Sequence, residues 1–534
     1  MTDAAVPDWG SRVQAATQAV TGVSGHRERA APRLLLAGVL LVAAAVALCA
    51  CALSSVLLSR GIGYGSVALA CYAAGLLCLA GAREGDLGLA RWKLGSWILV
   101  WYGLASGLAT LIWTGPQHGI AGQVFPSSVL RALWLVAVAM TCWALGYAAG
   151  PGVPLRQAAD RAVRALSARR SGSVLPLAPW AMYAVATAAR IASAVTTGRV
   201  GYVGDAASAV STASGYGQAL SALALLGPLA VCAAALQAYR ERRPGARVTL
   251  AVLFAGEMAF GVVAGNKDGF VVAVLAVVIP ASAERRRVPK PAVLAAVAVF
   301  LLVVVPYTLA YRDAARAGSV TLTASQAARE APGILRQSVT GGGVVTSVPG
   351  SLAYLLQRIS QIAAPAVIMQ RTPSQILYAS PAQLAVTPLG AFIPRAVWPG
   401  KPILDDGYQF SQQYYGLPAG VYTSSAITPA GDLYRHGGWL PVIGGMFLLG
   451  CAVRLLDGTL DVRANPHAVF LVLLLFPALV KGEDDWVTLL AAIPAVLAVW
   501  VLAVSLAFRR APALSDVREM VPRDALRPVP GMPG

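Results

Sequence analysis

The sequence predicts an all-α, polytopic integral membrane protein with about twelve transmembrane helices and one large loop outside the membrane. Of its 534 residues, 57% are hydrophobic and only 12% are charged. Soluble domains carry about 25% charged residues. The mean hydropathy is +0.65, and the apolar residues gather in runs of the length that crosses a bilayer as a helix. Positive charge also alternates between loops, as it does in membrane proteins.

Twelve apolar runs are candidate spans, of which the eighth, tenth and eleventh are short. They lie at 34–58, 65–82, 94–114, 129–149, 177–197, 217–239, 248–264, 270–283, 292–311, 438–453, 467–480 and 486–508. All seven cysteines fall within these runs. They are therefore interpreted as small apolar residues and not as a disulfide framework or a metal site.

The net charge of +18 is concentrated in alternate loops. Basic residues cluster at 27–33, 83–93, 156–170, 240–247, 284–290 and from Arg509 onward, whereas the loops between them are nearly neutral. This positive-inside pattern predicts that both termini are cytoplasmic. A bias toward Ala, Gly, Val and Arg suggests a bacterial genome, so we expect a multi-pass protein of the bacterial cytoplasmic (inner) membrane. Topology accounts for most of the basic residues, and no nucleic-acid partner is expected.

The topology divides the chain into five parts. We expect a cytoplasmic tail at 1–33, helices 1–9 at 34–311, a large extracytoplasmic loop at 312–437, helices 10–12 at 438–508 and a cytoplasmic tail at 509–534. Loops beyond about 15 residues are usually functional or disordered. Within this loop, the apolar spacing of 349–370 predicts an amphipathic helix on the membrane or the bundle.

The large loop carries nine Lys or Arg and five acidic residues, an outward positive excess that the topology rule does not explain. Its most informative stretch is IPRAVWPGKP at 393–402, where Arg395 and Lys401 stand among three prolines and Trp398. Proline fixes φ and removes a donor, so this stretch is stiff and not a regular helix. A solvated surface is one interpretation; we favour an anion site, because the second half of the loop is rich in Pro, Gly, Trp and Tyr.

Other charged residues are predicted near the outer face. Candidates to converge with the loop on an anion are Arg190, Arg199, Lys267 and Arg312. Arginine suits bidentate phosphate recognition and lysine supplies a point charge. Arg190 lies within the fifth run, where snorkelling is the alternative, and Glu257 in the seventh run is expected to pair with an arginine or line a polar cavity. The acidic turn 483–485 is predicted to be solvated.

Several catalytic signatures do not occur in the sequence. It contains no P-loop, HExxH, GxSxG or dinucleotide-binding fingerprint. ATP-driven transport and zinc proteolysis are therefore unsupported.

A resemblance to a known family emerges around the proline-rich stretch. IPRAVWPGKP, FSQQYYG at 410–416 and TSSAITPAGDLYRHGG at 423–438 together resemble the O-antigen or oligosaccharide repeat-unit polymerases, the Wzy family. The similarity covers about 385–440, with weaker features at 198–205 and 264–275. The sequence departs from the pattern at Asp432, where a Glu is more usual, and at Arg435 and His436, which replace an Asn–aromatic pair.

The resemblance implies an integral-membrane glycosyltransferase. Such an enzyme polymerises oligosaccharide repeat units carried on a polyprenyl diphosphate such as undecaprenyl diphosphate. It acts at the outer face of the cytoplasmic membrane, inverts the anomeric carbon and builds a cell-envelope polysaccharide. We expect Arg395 and Lys401 at the leaving diphosphate, with Arg190, Arg199, Lys267 and Arg312 in support.

The same resemblance sets the catalytic expectations. Asp432 is the first candidate for the base that activates the acceptor hydroxyl, and His436 is the second, beside Arg435. Tyr434, like Trp398, is a candidate substrate-binding residue, Tyr434 by stacking on a sugar. A helix that begins near Gly437 would direct its positive dipole end toward a phosphate.

No cofactor and no metal are expected, although the pair Asp405 and Asp406 is the feature that would overturn metal independence. Expected partners are the lipid-linked oligosaccharides, membrane lipids, a chain-length regulator and a flippase. Three alternatives remain open: an O-antigen-ligase-like glycan transferase, a lipid-linked oligosaccharide flippase or other transporter, and a purely structural assembly protein.

Overall fold

A computed structural model describes most of the chain. The described residues are 9–53, 58–84, 86–112, 124–168, 170–197, 200, 215–265, 267–288, 290–308, 310–311, 329, 332–333, 336, 356, 359–393, 397–398, 406–418 and 424–510.

The described residues form nineteen α-helices and two short strands. In chain order they are α1 (Trp9–Leu53), α2 (Leu58–Glu84), α3 (Leu94–Tyr102), α4 (Pro126–Ala149), α5 (Val153–Ala168), β1 (Arg170–Val174), α6 (Ala178–Thr197), α7 (Gly215–Ala224), α8 (Leu226–Tyr239), α9 (Ala246–Ala264), α10 (Lys267–Arg285), α11 (Lys290–Val299), α12 (Ala363–Arg371), α13 (Gln383–Ala391), α14 (Asp406–Tyr415), α15 (Pro429–Arg435), α16 (Trp439–Thr459), α17 (Pro466–Lys481), α18 (Trp486–Ala491), α19 (Ile493–Ala507) and β2 (Phe508–Arg510).

The helical, membrane-type architecture agrees with the sequence. Nine helices of the described chain are long and apolar enough to cross a membrane: 31–53, 60–84, 94–112, 126–149, 217–239, 246–264, 290–308, 439–459 and 486–507. Helix α17 is apolar but shorter, and α6 and α10 also fall on predicted runs. Twelve spans therefore remain a prediction, of which nine are supported by helix length and composition.

The sequence did not predict the small antiparallel sheet. Strands β1 and β2 pair with Val174 opposite Phe508. The sheet joins the segment before α6 to the end of α19. Strands this short carry too few residues for a period-two pattern, which explains why the apolar pattern gave no sign of them.

Helix α8 is the centre of one half of the bundle. Every residue from Leu226 to Ala238 is buried, as expected for a helix that is apolar on all sides. It packs on α6, α9 and α10, whereas α1, α2, α4 and α16 pack together in a second group. Helix α17 contacts α3, α8, α10 and α19 and so connects the two groups.

The helix ends separate into two sets. At one end, Glu84 pairs with Arg454 at 2.8 Å, and Arg240 pairs with Glu284 at 3.5 Å. Glu241 accepts a hydrogen bond from the backbone of Val174 in β1. We call this the basic end, because the described parts of the basic loops gather there. At the opposite end, Lys481 pairs with Asp268 at 2.9 Å.

The predicted large loop contains four helices, α12 to α15, that pack on the bundle. The predicted amphipathic helix at 349–370 is observed only from Ala363; most of its first half lies outside the described residues. Ile362, Ala366, Val367 and Ile368 are completely buried. Helix α12 packs against α4, α14 and α15. It is therefore an internal helix and does not lie on a surface, because its apolar residues surround it instead of forming one stripe.

Candidate active site

Helix α15 carries the predicted catalytic residues and starts at a strained cap. Thr428 is the N-cap, its side-chain oxygen accepting a hydrogen bond from the backbone N–H of Gly431, and Pro429 occupies the first helical turn. Thr428 has a φ of 70°, a conformation that β-branched residues rarely adopt and that is found mostly at functional sites. The helix ends at Arg435 and is followed by Gly437 and Gly438, whose φ values of 151° and 73° favour glycine.

Asp432 is the centre of a buried cluster of charges. Its side chain is fully buried, and both carboxylate oxygens are occupied. Oδ1 accepts hydrogen bonds from Arg435 Nε at 3.1 Å and Nη2 at 2.8 Å. Oδ2 accepts one from the backbone N–H of Trp486 at 3.1 Å. Burial by itself raises the pKa of Asp432, but the hydrogen bond from His436 and the charge of Arg435 outweigh it, so this pKa lies below its ordinary value.

His436 is the second buried member of the cluster, and its side chain is only 2% exposed. Its Nδ1 lies 2.9 Å from the backbone oxygen of Asp432 and 3.3 Å from Asp432 Oδ1. Both neighbours are acceptors, so Nδ1 carries a proton that it donates to Asp432. Burial lowers the pKa of His436, but the hydrogen bond and charge of Asp432 raise it further, and the pKa lies above its ordinary value.

Arg435 connects the helix to a second carboxylate. Its Nη2 lies 3.0 Å from Asp406 Oδ1 on α14 as well as 2.8 Å from Asp432 Oδ1. The guanidinium therefore holds two acids from different elements, which fixes α14 against α15. An arginine with two carboxylate partners fits a structural and orienting role better than direct catalysis.

Asp485 completes what we call the Asp432 cluster, which consists of Asp406, Asp432, Arg435, His436 and Asp485. Asp485 is 6% exposed and caps α18 by accepting a hydrogen bond from the backbone N–H of Thr488 at 2.7 Å. Burial, followed by the negative charges of Asp432 and Asp406, raises its pKa to about 6. The prediction that 483–485 is a solvated turn is thus wrong for Asp485, because the preceding turn folds inward so that Trp486 reaches Asp432.

Aromatic side chains border the cluster. Tyr434 packs edge-to-face against Tyr378 and Trp439. Its ring centroid lies 6.2 Å from that of Tyr378 and 5.7 Å from that of Trp439. Tyr434 itself is buried, whereas Tyr378 and Trp439 are about two-fifths exposed, at 41% and 40%. The exposed rings available for stacking on a sugar are therefore Tyr378 and Trp439 more than Tyr434.

An apolar groove with a volume of 600 Å³ adjoins the cluster. Its walls come from α13, α16 and α18. Leu433 and Trp486, which line it, are the immediate neighbours of Asp432 and Asp485 in the chain. The groove and the charged cluster thus share a wall, and Gly444 of α16 faces open space in the groove.

The proline-rich stretch begins at this groove. Phe392 lines it, and Ile393 follows in a turn that closes α13. A Cβ placed on Gly390 would lie 3.7 Å from the Trp398 ring, which is 43% exposed. The described ends of the stretch therefore lie next to α13. Its two cations, Arg395 and Lys401, lie outside the described residues, as do Arg199, Arg312 and Asp405.

The structure places Arg190 on α6 and Lys267 at the first position of α10. Arg190 pairs with Glu257 through two hydrogen bonds of 2.7 and 3.0 Å, and its guanidinium lies 4.1 Å from the centroid of the Phe260 ring. The expectation that Glu257 pairs with an arginine is therefore confirmed. The charge of Arg190 is neutralised by this carboxylate. Lys267 begins α10, beside the Asp268–Lys481 pair.

Sequence reasoning missed Asp485 and Asp406 as members of the site. One usable signal was the position of Asp485 directly before the apolar run that starts at Trp486, because Asp in that position is a preferred N-cap and indicates a helix start and not a free turn. In the described part of the chain, no group of three or more His, Cys, Asp or Glu residues is arranged to hold a metal ion. The arrangement offers an oriented histidine in a charged cluster that shares a wall with the apolar groove.

Comparison with known proteins identifies one family. A family profile described as a domain of unknown function (DUF8712) matches residues 188–460, just over half of the 534 residues. The match spans α15 and two of the groove walls, α13 and α16, but stops before α18 and Asp485. No curated protein and no solved structure matches the chain. The chain therefore belongs to the family described as the domain of unknown function DUF8712.

Proposed function

We propose that this protein polymerises polyprenyl-diphosphate-linked oligosaccharide repeat units at the outer face of the bacterial cytoplasmic membrane. The observation that carries the proposal is the shared wall of the apolar groove and the Asp432 cluster, formed by Leu433 and Trp486. A lipid-linked glycan needs an apolar surface for its chain directly beside polar groups for its reacting end. The sequence resemblance to the Wzy family around 385–440 points to the same substrate class.

The groove suits the lipid part of the substrate. Its volume of 600 Å³ is within the range of about 300–1,000 Å³ typical of ligand sites. It lies between α13, α16 and α18, of which α16 and α18 belong to candidate membrane spans. A prenyl chain can therefore leave the groove along the spans and continue into the bilayer.

The proline-rich stretch suits the diphosphate. Trp398 lies beside Gly390 at the end of a groove wall, so a substrate with its lipid in the groove would present its diphosphate near that stretch. In this proposal Arg395 and Lys401 neutralise the leaving diphosphate. Arg190 is given no part, because Glu257 already neutralises it.

The Asp432–His436 pair suits activation of the acceptor. Asp432 has no free oxygen and a lowered pKa, which makes it a poor base. It instead orients His436 through Nδ1, leaving Nε2 as the ring nitrogen for a substrate. In the transfer, the acceptor hydroxyl passes its proton to Nε2 while its oxygen bonds to the anomeric carbon. The bond from that carbon to the diphosphate breaks, and the electron pair leaves with the polyprenyl diphosphate.

Deleting the gene and analysing the lipid-linked glycans tests the proposal. A polymerase mutant should accumulate single repeat units on the outer leaflet. Single units held on the inner leaflet would indicate a flippase. Polymer that stays on its lipid carrier would indicate a ligase-like transferase. Polymer of normal length and attachment would contradict all three activities.

Single substitutions test the two cations. Arg395→Ala and Lys401→Ala should each abolish polymer while the amount of protein in the membrane stays normal. Arg329→Ala is the matched control, because Arg329 is an exposed cation in the same segment. Normal polymer from both of the first two variants would remove these cations from the site.

A further inference from the structure

A strongly basic pocket lies at the basic end, far along the chain from the Asp432 cluster. It has a volume of 710 Å³ and is formed by the loop between α8 and α9 together with the end of α10. Its charged lining residues are Arg240, Arg242, Arg243, Arg247, Glu284 and Arg285. Neither the proposed transfer nor the family match gives this pocket a role.

The pocket has more positive charge than its acids neutralise. Arg240 pairs with Glu284 at 3.5 Å, and Arg243 pairs with Glu241 at 2.6 Å. Within the described chain, Arg242 and Arg247 form no ion pair. Arginines that face one cavity without carboxylates between them repel one another, and an anion in the cavity removes that repulsion.

The backbone adds to this positive potential. Gly245, with a φ of 75°, is the N-cap of α9, and no side chain caps that helix. The first turn of α9 lines the pocket through Arg247 and Val248. The Ala246 and Val248 amides already donate to the backbone oxygens of Arg243 and Gly245, so this 19-residue helix contributes the positive end of its dipole, which favours an anion. Arg242 has a φ of 50°, so the loop turns sharply at the residue that faces the cavity.

An apolar surface continues from the pocket toward the membrane. Val248 lines the pocket and is 67% exposed, and Val252, one turn further along α9, is 49% exposed. Both belong to the candidate span 246–264. Residues four apart share one face of a helix, so a ligand with its charge in the pocket would lay an apolar chain along these valines.

We propose that this pocket binds the phosphate headgroup of an anionic phospholipid from the leaflet at the basic end. The arginines hold the phosphate, the positive end of the α9 dipole faces it, and an acyl chain lies on Val248 and Val252. Basic pockets between membrane helices are a recurrent way to recognise acidic lipid headgroups. We propose a lipid and not a free anion as the ligand, because an apolar helix face adjoins the pocket.

The competing explanation is that these arginines only set the topology, like the other arginines at the same end. Arg164 and Arg287 provide the comparison. Both are exposed and lie at the basic end, and neither lines the pocket. Two double variants remove the same charge from the same end of the molecule. One combines Arg242→Gln with Arg247→Gln, and the other combines Arg164→Gln with Arg287→Gln.

Native mass spectrometry of the purified protein in detergent, titrated with phosphatidylglycerol or phosphatidylcholine, tests the proposal. We expect phosphatidylglycerol to bind at least about tenfold more tightly, and the Arg242–Arg247 double variant to lose about tenfold or more of that affinity. The Arg164–Arg287 variant should bind as the native chain does. The double variant Arg242→Lys with Arg247→Lys should retain most of the affinity for phosphatidylglycerol. This result would show that the glutamine variant loses binding through lost charge and not through misfolding.

Equal losses in the two glutamine double variants would overturn the pocket assignment, as would equal binding of the two lipids. A competition arm with inorganic phosphate and glycerol phosphate distinguishes the source of the anion. Displacement of the lipid by millimolar phosphate would overturn the lipid in favour of a free anion.

Discussion

The Nδ1 atom of His436 lies 2.9 Å from the backbone oxygen of Asp432 and 3.3 Å from its Oδ1. One residue thus holds the ring twice, through the chain and through the carboxylate. The other oxygen of Asp432 is bound by Trp486 N–H, which belongs to a helix fifty-four residues further along the chain. The position of His436 therefore depends on the docking of α18, and assembly of the last helices completes the site.

Replacing Asp432 by Asn should strongly destabilise the fold. Arg435 and His436 would then be buried with one carboxylate fewer, and breaking a buried ion pair costs about 3–5 kcal/mol. Thermal unfolding in detergent, followed by size-exclusion chromatography after heating, measures the change. Asp484→Asn is the control: Asp484 is exposed in the adjacent turn, and its substitution should cost less than about 0.5 kcal/mol. Equal melting temperatures of the two variants would contradict a central role for Asp432.

Transfer activity should rise with pH through an apparent pKa above the ordinary 6.5 of histidine. The base must be neutral to accept the hydroxyl proton, and Asp432 holds His436 in its charged form to higher pH. The charged groups that act on the ring in this titration are Asp432, which raises the pKa of His436, and Arg435, which lowers it. Rates of the reconstituted protein at pH 5.5 to 9 provide the profile, and a rate that falls over this range would contradict His436 as the base.

Asp485→Asn should increase stability, and only above acidic pH. The raised pKa means that the fold favours the protonated acid, so this contribution is present below the ordinary pKa of 3.8 and is lost as pH rises through about 6. Asn imitates the protonated form and still caps α18. The gain should be on the order of 1–3 kcal/mol at pH 7.5 and close to zero at pH 4. Parallel stability curves of the native chain and the variant would contradict the assignment.

Gly444→Phe should abolish polymer formation without loss of folded protein. A side chain at Gly444 meets no atom within 4 Å and so enters the open groove, and replacing a helical Gly tends to favour the helix. Gly458→Phe is the matched control, because Gly458 also meets no atom within 4 Å, lies on the same helix and does not line the groove. Polymer length in cells that carry each variant measures the effect. Full-length polymer from Gly444→Phe would show that no lipid occupies the groove.

The helices of the bundle could be predicted from the sequence because membrane spans leave a local signal in length and hydropathy. The described parts of all twelve apolar runs are mainly helical. The sequence also identified Asp432, Arg435 and His436, which lie in one short stretch. It could not place Asp406 or Asp485 beside them, because Asp406 meets Arg435 across 29 positions and Asp485 interacts with Asp432 across 53, and both depend on how α14 and α18 dock.

The partners of the buried charged side chains also could not be predicted from the sequence. Arg190 was expected to help bind a diphosphate, yet its guanidinium lies on Glu257. The two residues are 67 positions apart, and hydropathy contains no information on which face of each helix meets the other. Asp432 was the first candidate base from its position alone, and only the hydrogen bonds from the Arg435 side chain and the Trp486 backbone show that its carboxylate oxygens are occupied.

The most direct test of the account is polymerisation by the purified protein. The protein is reconstituted in liposomes with a single repeat unit on polyprenyl diphosphate, and the products are separated by length. We predict a ladder of two, three and more repeats with one polyprenyl diphosphate released for each transfer, and no ladder from His436→Gln. Unextended single units from the folded native protein, or an equal ladder from His436→Gln, would contradict the account.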